Sequence, residues 1–139
     1  MEQGFVFFEH TADIGFEVNA KNLEKAFELA GKAFFSIITD LERIKTEKTK
    51  VFEITSEDEK SLLYDFLDQL VFLKDVENTA FKDFKIVIKK EKGELILKCT
   101  AKGQDISQIT GSDIKAVTYS QMEIIETDEH CFLRVVVDV

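Results

Sequence analysis

Three short clusters carry residue types that could do chemistry. The first is Glu9-His10-Thr11-Ala12-Asp13-Ile14-Gly15, which crowds carboxylates, an imidazole and a hydroxyl into seven positions. Read locally it is an ordinary turn, since Asp and Gly favour turns and a histidine there can simply satisfy a carbonyl. The second is the end of the sequence, where the apolar run Val135-Val136-Val137 gives way to Asp138 and Val139. Two anions, the Asp138 side chain and a terminal carboxylate, tolerate such closeness only when solvent or a cation offsets their repulsion. On local grounds solvent is the commoner answer. The third is Lys115-Ala116-Val117-Thr118-Tyr119-Ser120. On strand spacing Lys115, Val117 and Tyr119 share one face, and a half-buried strand with Tyr119 packed and Lys115 in water accounts for it.

Should Asp13 and Asp138 meet, they and an oxygen of Val139 would make an all-oxygen donor set. Such a set suits a hard divalent cation, Ca²⁺, Mg²⁺ or Mn²⁺, completed by water. Zinc fits poorly, because no His/Cys cluster accompanies the carboxylates. The remaining candidates are weaker. Cys99 falls on the apolar side of an alternating run and reads as core. His130 has no spaced ligand partner, and Glu57-Asp58-Glu59 complements a helix N-terminus. No P-loop, GxGxxG or nucleophile elbow is present.

The elements that must position these residues follow from periodicity. Leu23, Ala26, Phe27, Ala30, Phe34, Ile37 and Ile38 recur at helical spacing, with Asn22 placed as N-cap. A second helix carries Leu62, Leu63, Phe66, Leu67, Leu70 and Leu73 on one face, and Ser56-Glu57-Asp58-Glu59 reads as its capping box. Alternation on both sides of Lys92-Gly93 predicts a hairpin. Further strands are expected at Phe5–Glu9, Gly15–Ala20, Thr49–Thr55, Ile114–Ile125 and Cys131–Val137, with a loop at Gly103–Asp113. The order is two strands, helix, strand, helix, four strands. That is not β-α-β alternation, so the expected fold is α+β: a mixed or mostly antiparallel sheet packed against two amphipathic helices, in a single domain over residues 1–139.

Composition narrows the function classes. The 45% apolar share, with thirteen Phe, provides for a hydrophobic core. The net charge of −9, from 27 acidic and 18 basic residues, argues against autonomous nucleic-acid binding, which depends on Lys and Arg displacing counterions. An acidic chain suits a basic protein partner. Cys99 and Cys131 match neither a disulfide framework nor a zinc site. No run approaches the ~20 apolar residues of a membrane span, and no signal peptide is visible. A cytoplasmic location with reduced thiols is expected.

Taken together, Phe8-Glu9-His10-Thr11-Ala12-Asp13-Ile14-Gly15, the helix after Asn22, Leu62-Leu63, Lys115-Ala116-Val117-Thr118-Tyr119 and Asp138-Val139 closely resemble the archease family, in the same order and over nearly the whole chain. The HTAD and KAVTY strings are specific. Archeases commonly end in Asp-Ile, so Val139 departs from the pattern, at little cost if its ligand atom is a main-chain oxygen. The resemblance implies a non-catalytic activator of the RtcB-type RNA ligase, which joins tRNA halves after intron removal. It promotes the ligase–nucleotide intermediate and repeated turnover. The resemblance also implies a divalent metal on Asp13, Asp138 and Val139, with His10, Thr11, Lys115 and Tyr119 as surrounding or partner-contacting residues. An older role as chaperone or modulator of RNA-modifying proteins is secondary. The rival reading is a small metal-dependent hydrolase, with His10 as general acid or base.

Overall fold

A computed structural model of the chain describes residues 3–10 and 13–139, with His10 placed by its backbone alone. The elements are β1 (Gly4–His10), β2 (Asp13–Ala20), α1 (Leu23–Ile38), a short 3₁₀ turn (Leu41–Arg43), β3 (Lys48–Ser56), α2 (Glu59–Glu77), β4 (Thr79–Glu91), β5 (Glu94–Asp105), β6 (Ala116–Glu126) and β7 (Cys131–Asp138). The expected α+β class and element order are what the structure shows. The strands divide into two sheets, a four-stranded one in the order β1-β2-β7-β6 and a three-stranded one in the order β3-β5-β4. Their pairings are antiparallel.

Both helices contact strands of both sheets. This explains why α1 buries more than one stripe: Phe34 and Phe35 are consecutive, and both are fully buried. A helix faced on two sides by apolar layers needs a wider apolar arc than one lying on a surface. Phe35 contacts Phe81 edge-on and Phe84 in a stacked arrangement, while Phe66 of α2 meets Phe27, Phe52 and Phe84. The aromatic rings therefore tie α1, α2 and the three-stranded sheet into one core.

The start of α1 is as expected, with the Asn22 side chain accepting from the Lys25 N–H at 2.8 Å. The start of α2 is not. Ser56 closes β3 and its hydroxyl donates to Asp65 at 2.7 Å, whereas the N-cap is Asp58, which accepts from the Ser61 N–H at 2.8 Å. A serine and an aspartate two residues apart both have capping chemistry, and the extra β3 pairing of Ser56 with Leu95 decides between them. Lys92 and Gly93 both have positive φ (50° and 82°), as a tight two-residue hairpin turn requires.

The expected loop at Gly103–Asp113 begins later, because β5 runs on to Asp105. Gly103 is a strand residue at a close approach: a Cβ there would lie 1.9 Å from the Ala80 carbonyl oxygen, beside the irregularity at Phe81/Asp83. Glycine inside a strand marks such a contact as readily as it marks a loop.

The free edge of β4 is covered by α1. The Glu28 carboxylate accepts from the Ile86 N–H at 2.8 Å and Glu24 from the Ile88 N–H at 2.9 Å. Four residues of helix and two of strand both advance roughly 6–7 Å, so one helical face reaches alternate edge donors. Unpaired edge donors invite association with other strands, and two carboxylates occupy them here.

Candidate functional site

The two central strands of the four-stranded sheet, β2 and β7, lie side by side in the register Asp13↔Asp138, Ile14↔Val137, Gly15↔Val136. Phe16 and Val18 of β2, and Val135 and Val137 of β7, point into the core and are fully buried. By alternation, Asp13, Gly15 and Glu17 lie on the opposite face with Asp138, Val136 and Arg134. Asp13 and Asp138 are thus directly opposed on the outer face. Opposed residues on one face of an antiparallel pair have Cβ atoms about 4.5–5.5 Å apart.

The register extends the row across the sheet as His10, Asp13, Asp138 and Ala116. The next row is Phe8, Gly15, Val136 and Thr118. Phe8 lies directly on Gly15, so that a Cβ there would stand 2.1 Å from its ring. Val136, the register partner of Gly15, is fully buried although it faces away from the core. The Thr118 hydroxyl donates to the Val136 carbonyl at 2.8 Å. In the third row Glu17 and Arg134 form an ion pair at 2.9 Å. The two aspartates therefore stand at the end of a packed and hydrogen-bonded platform.

Asp13 is half-buried and Asp138 exposed. The Asp138 carbonyl accepts from the Lys115 N–H at 2.8 Å, and the half-buried Val139 side chain packs against the core. That packing holds the main chain just past Asp138, a role any medium aliphatic side chain can fill. Two like charges opposed on a sheet destabilise it, and a cation would reverse the sign. Among the described residues no three His, Cys, Asp or Glu side chains gather as a metal-holding group. A cation here would take two carboxylates, a main-chain oxygen and water, a donor set fit for Ca²⁺, Mg²⁺ or Mn²⁺.

Lys115 is exposed and precedes β6, which starts at Ala116. The expected half-buried strand, with Tyr119 packed and Lys115 in water, is what the structure shows. Val117 is buried and the Tyr119 ring stacks on Tyr64 of α2 with centroids 4.4 Å apart while staying 54% exposed. Beyond it β6 loses its register with β7 between Thr118 and Glu123, where Gln121 takes a positive φ of 56°. Thr11 and the His10 side chain lie outside the described residues. Cys99 is core, as expected, its thiol pushed up to about 12 by burial.

The model of the Archease protein family (MTH1598/TM1083) matches residues 5–139. The chain belongs to the archease family. It is 41% identical over 138 residues to the protein archease of Methanothermobacter thermautotrophicus, covering 98% of this chain and 99% of that one. Against the Pyrococcus furiosus protein archease the identity is 38% over 120 residues, 84% of each chain. The solution structure of Methanobacterium thermoautotrophicum protein 1598 superposes with a TM-score of 0.86 at 38% identity, over 98% of this chain and 99% of that one. A Thermotoga maritima crystal structure described as an archease, possible chaperone, shares the fold at a TM-score of 0.56 and 23% identity, covering 95% and 94% of the two chains.

Membership of the family makes sense of features that local sequence left as turn chemistry. The HTAD string ends on the first residue of β2, and the penultimate residue of the sequence is its register partner. Sequence reasoning overlooked Phe8 and Thr118 as supports of this row. The signal for Phe8 was Gly15 itself, a glycine within a strand pattern. Among the described residues no helix is long and apolar enough to cross a membrane.

Proposed function

We propose that this chain is a non-catalytic activator of an RtcB-type RNA ligase in tRNA splicing, and that it works through a divalent cation held by Asp13, Asp138 and the main-chain oxygen of Val139. The observation that carries the reading is the direct register pairing of Asp13 with Asp138 on the outer face of the sheet. Two carboxylates fixed on neighbouring strands need no rearrangement to share an ion, and the sheet has already met the entropy of bringing them together. When bound, the cation supplies positive charge that can offset phosphate charge at a partner's reaction centre.

The chain's own residues hold and present. Asp138 is exposed and Asp13 half-buried, so the pair opens outward toward a partner instead of into a closed cavity. Lys115 stands exposed beside Asp138 and can meet a phosphate or an acidic ligase residue. The exposed part of Tyr119 offers an aromatic surface near the same strand. An acidic protein is suited to meet a basic, RNA-handling enzyme.

The test is ligation of cleaved tRNA halves by the cognate ligase with nucleotide and metal, comparing the wild type with Asp13→Ala and Asp138→Ala. Loss of multiple-turnover ligation, by at least tenfold with both variants folded, is expected. Full rescue by both variants would instead favour a chaperone without metal, for which exposed apolar side chains such as Val6 and Phe7 on β1 and Phe72 and Val76 on α2 are available. Metal-dependent phosphate release by the isolated chain would identify a hydrolase.

A further inference from the structure

Lys74, near the end of α2, has a side chain only 2% exposed, and its ammonium bonds Asp113 at 2.7 Å as well as its neighbour Asp75. Burial alone would lower its pKa, but hydrogen bonds and charge from Asp113 and Asp75 outweigh it and raise the value, so the group remains charged. A buried ammonium is a poor source of stability, because an apolar side chain of similar size avoids its desolvation. A fixed geometry is the better reason for keeping one. Asp113 belongs to the segment joining β5 to β6, which also docks on the end of α1 through Gly111 N–H to the Ile38 carbonyl (2.8 Å) and Ser112 N–H to the Ile37 carbonyl (2.9 Å). Ile114 then inserts fully into the core. One residue on, the Lys115 N–H donates to the Asp138 carbonyl at 2.8 Å. The path from Lys74 to the carboxylate row is thus a single ion pair, two residues and a backbone bond.

We infer that Lys74 is a positioning residue: through Asp113 it fixes the approach of Lys115 to Asp138 and so sets the geometry of the Asp13–Asp138 pair. The inference rests on the reading of that pair as cation ligands. It differs from a purely structural role in one consequence. Asp75 and Asp113 are each 52% exposed, so replacing Lys74 by an apolar residue leaves no buried unpaired charge behind. Lys74→Met therefore keeps the fold while loosening the segment that holds Asp138.

The experiment pairs two readouts on the full chain, amide hydrogen exchange at Lys115 and calorimetric titration with Ca²⁺, Mg²⁺ and Mn²⁺ separately. In Lys74→Met and in Asp113→Asn, exchange at Lys115 is expected to quicken at least tenfold and cation affinity to fall by a similar factor, with amides of α1 and β2 still protected. Lys74→Arg restores both, and Asp75→Asn, whose partner lies on the same helix, changes neither. Should Lys74→Met fail to fold, Asp113→Asn carries the test, since it neutralises the ion pair to the segment and leaves Asp75 to meet the Lys74 ammonium. Unchanged Lys115 exchange and unchanged affinity in Asp113→Asn overturn the inference. A wild type that binds none of the three cations overturns the cation reading instead, and the Lys115 amide then decides alone whether Lys74 holds the Asp138 backbone.

Discussion

Glu59 opens α2 where the helix dipole favours a carboxylate, yet its pKa rises to about 7. Burial is the larger cause, followed by the Glu126 carboxylate at the end of β6, with Asp58 adding like charge. The same carboxylates help hold the neighbouring Cys131 thiol, itself pushed up to about 12 chiefly by burial. A carboxyl whose folded-state pKa is raised binds its proton more tightly folded than unfolded. Stability is therefore highest below the ordinary glutamate value, declines as pH rises through the interval up to about 7, and stays reduced above it. Glu59 is partly exposed, and solvent screening reduces the effect to about 1 kcal/mol. Thermal midpoints of Glu59→Gln measured from pH 4 to 8 are expected to decline less than those of the wild type, with the variant the more stable at pH 8. Parallel profiles would show that folding does not raise the Glu59 pKa.

The sheet that carries the aspartates depends on a glycine. Gly15 faces outward between Asp13 and Glu17, and Phe8 from β1 lies on it. Gly15→Ala drives the Phe8 ring off the sheet, for an expected loss of about 1–3 kcal/mol. Denaturant unfolding of Gly15→Ala, Phe8→Ala and the double variant checks this. The double variant should lose less than the sum of the singles, because the clash disappears with the ring; strict additivity would mean that Phe8 does not cover Gly15. The elements themselves were legible. Leu62 to Leu73 on α2 and Leu23 to Ile38 on α1 announced their buried faces by helical spacing, and Lys92-Gly93 announced its hairpin, since these signals are local. Pairing was not. The division of strands into two sheets depends on β2 meeting β7 across almost the whole chain, and no local pattern encodes a partner that far away. At the site, residue types could be read, but the juxtaposition of Asp13 and Asp138 needed either the family resemblance or the sheet register. Lys74 was illegible altogether, because a lysine in the last turn of a helix reads as solvated until Asp113 is seen to reach it.

At the scale of the molecule, the arrangement separates support from presentation. The helices and the three-stranded sheet hold the aromatic core, while the outer face of the four-stranded sheet ends in the row of Asp13 and Asp138. The adjacent Glu9 is exposed, so the site shares the sign of the whole chain, whose net charge is −9. Local and global fields then pull the same way on a basic partner, speeding encounter more than they tighten the final complex. The Debye length is about 10 Å at 0.1 M ionic strength and roughly 3 Å at 1 M. The association rate with the proposed ligase partner is accordingly expected to drop at least tenfold between 0.05 and 0.5 M salt, an order-of-magnitude figure for steered encounters, with a much smaller change in dissociation rate. Stopped-flow or surface-based kinetics across that range checks it. Glu9→Gln should lower the association rate at low salt and converge with the wild type at high salt, because a removed charge matters only while the field reaches the partner. An association rate indifferent to salt would mean that the partner's docking surface is not basic, and that recognition rests on shape and on apolar contact such as the exposed Tyr119 ring.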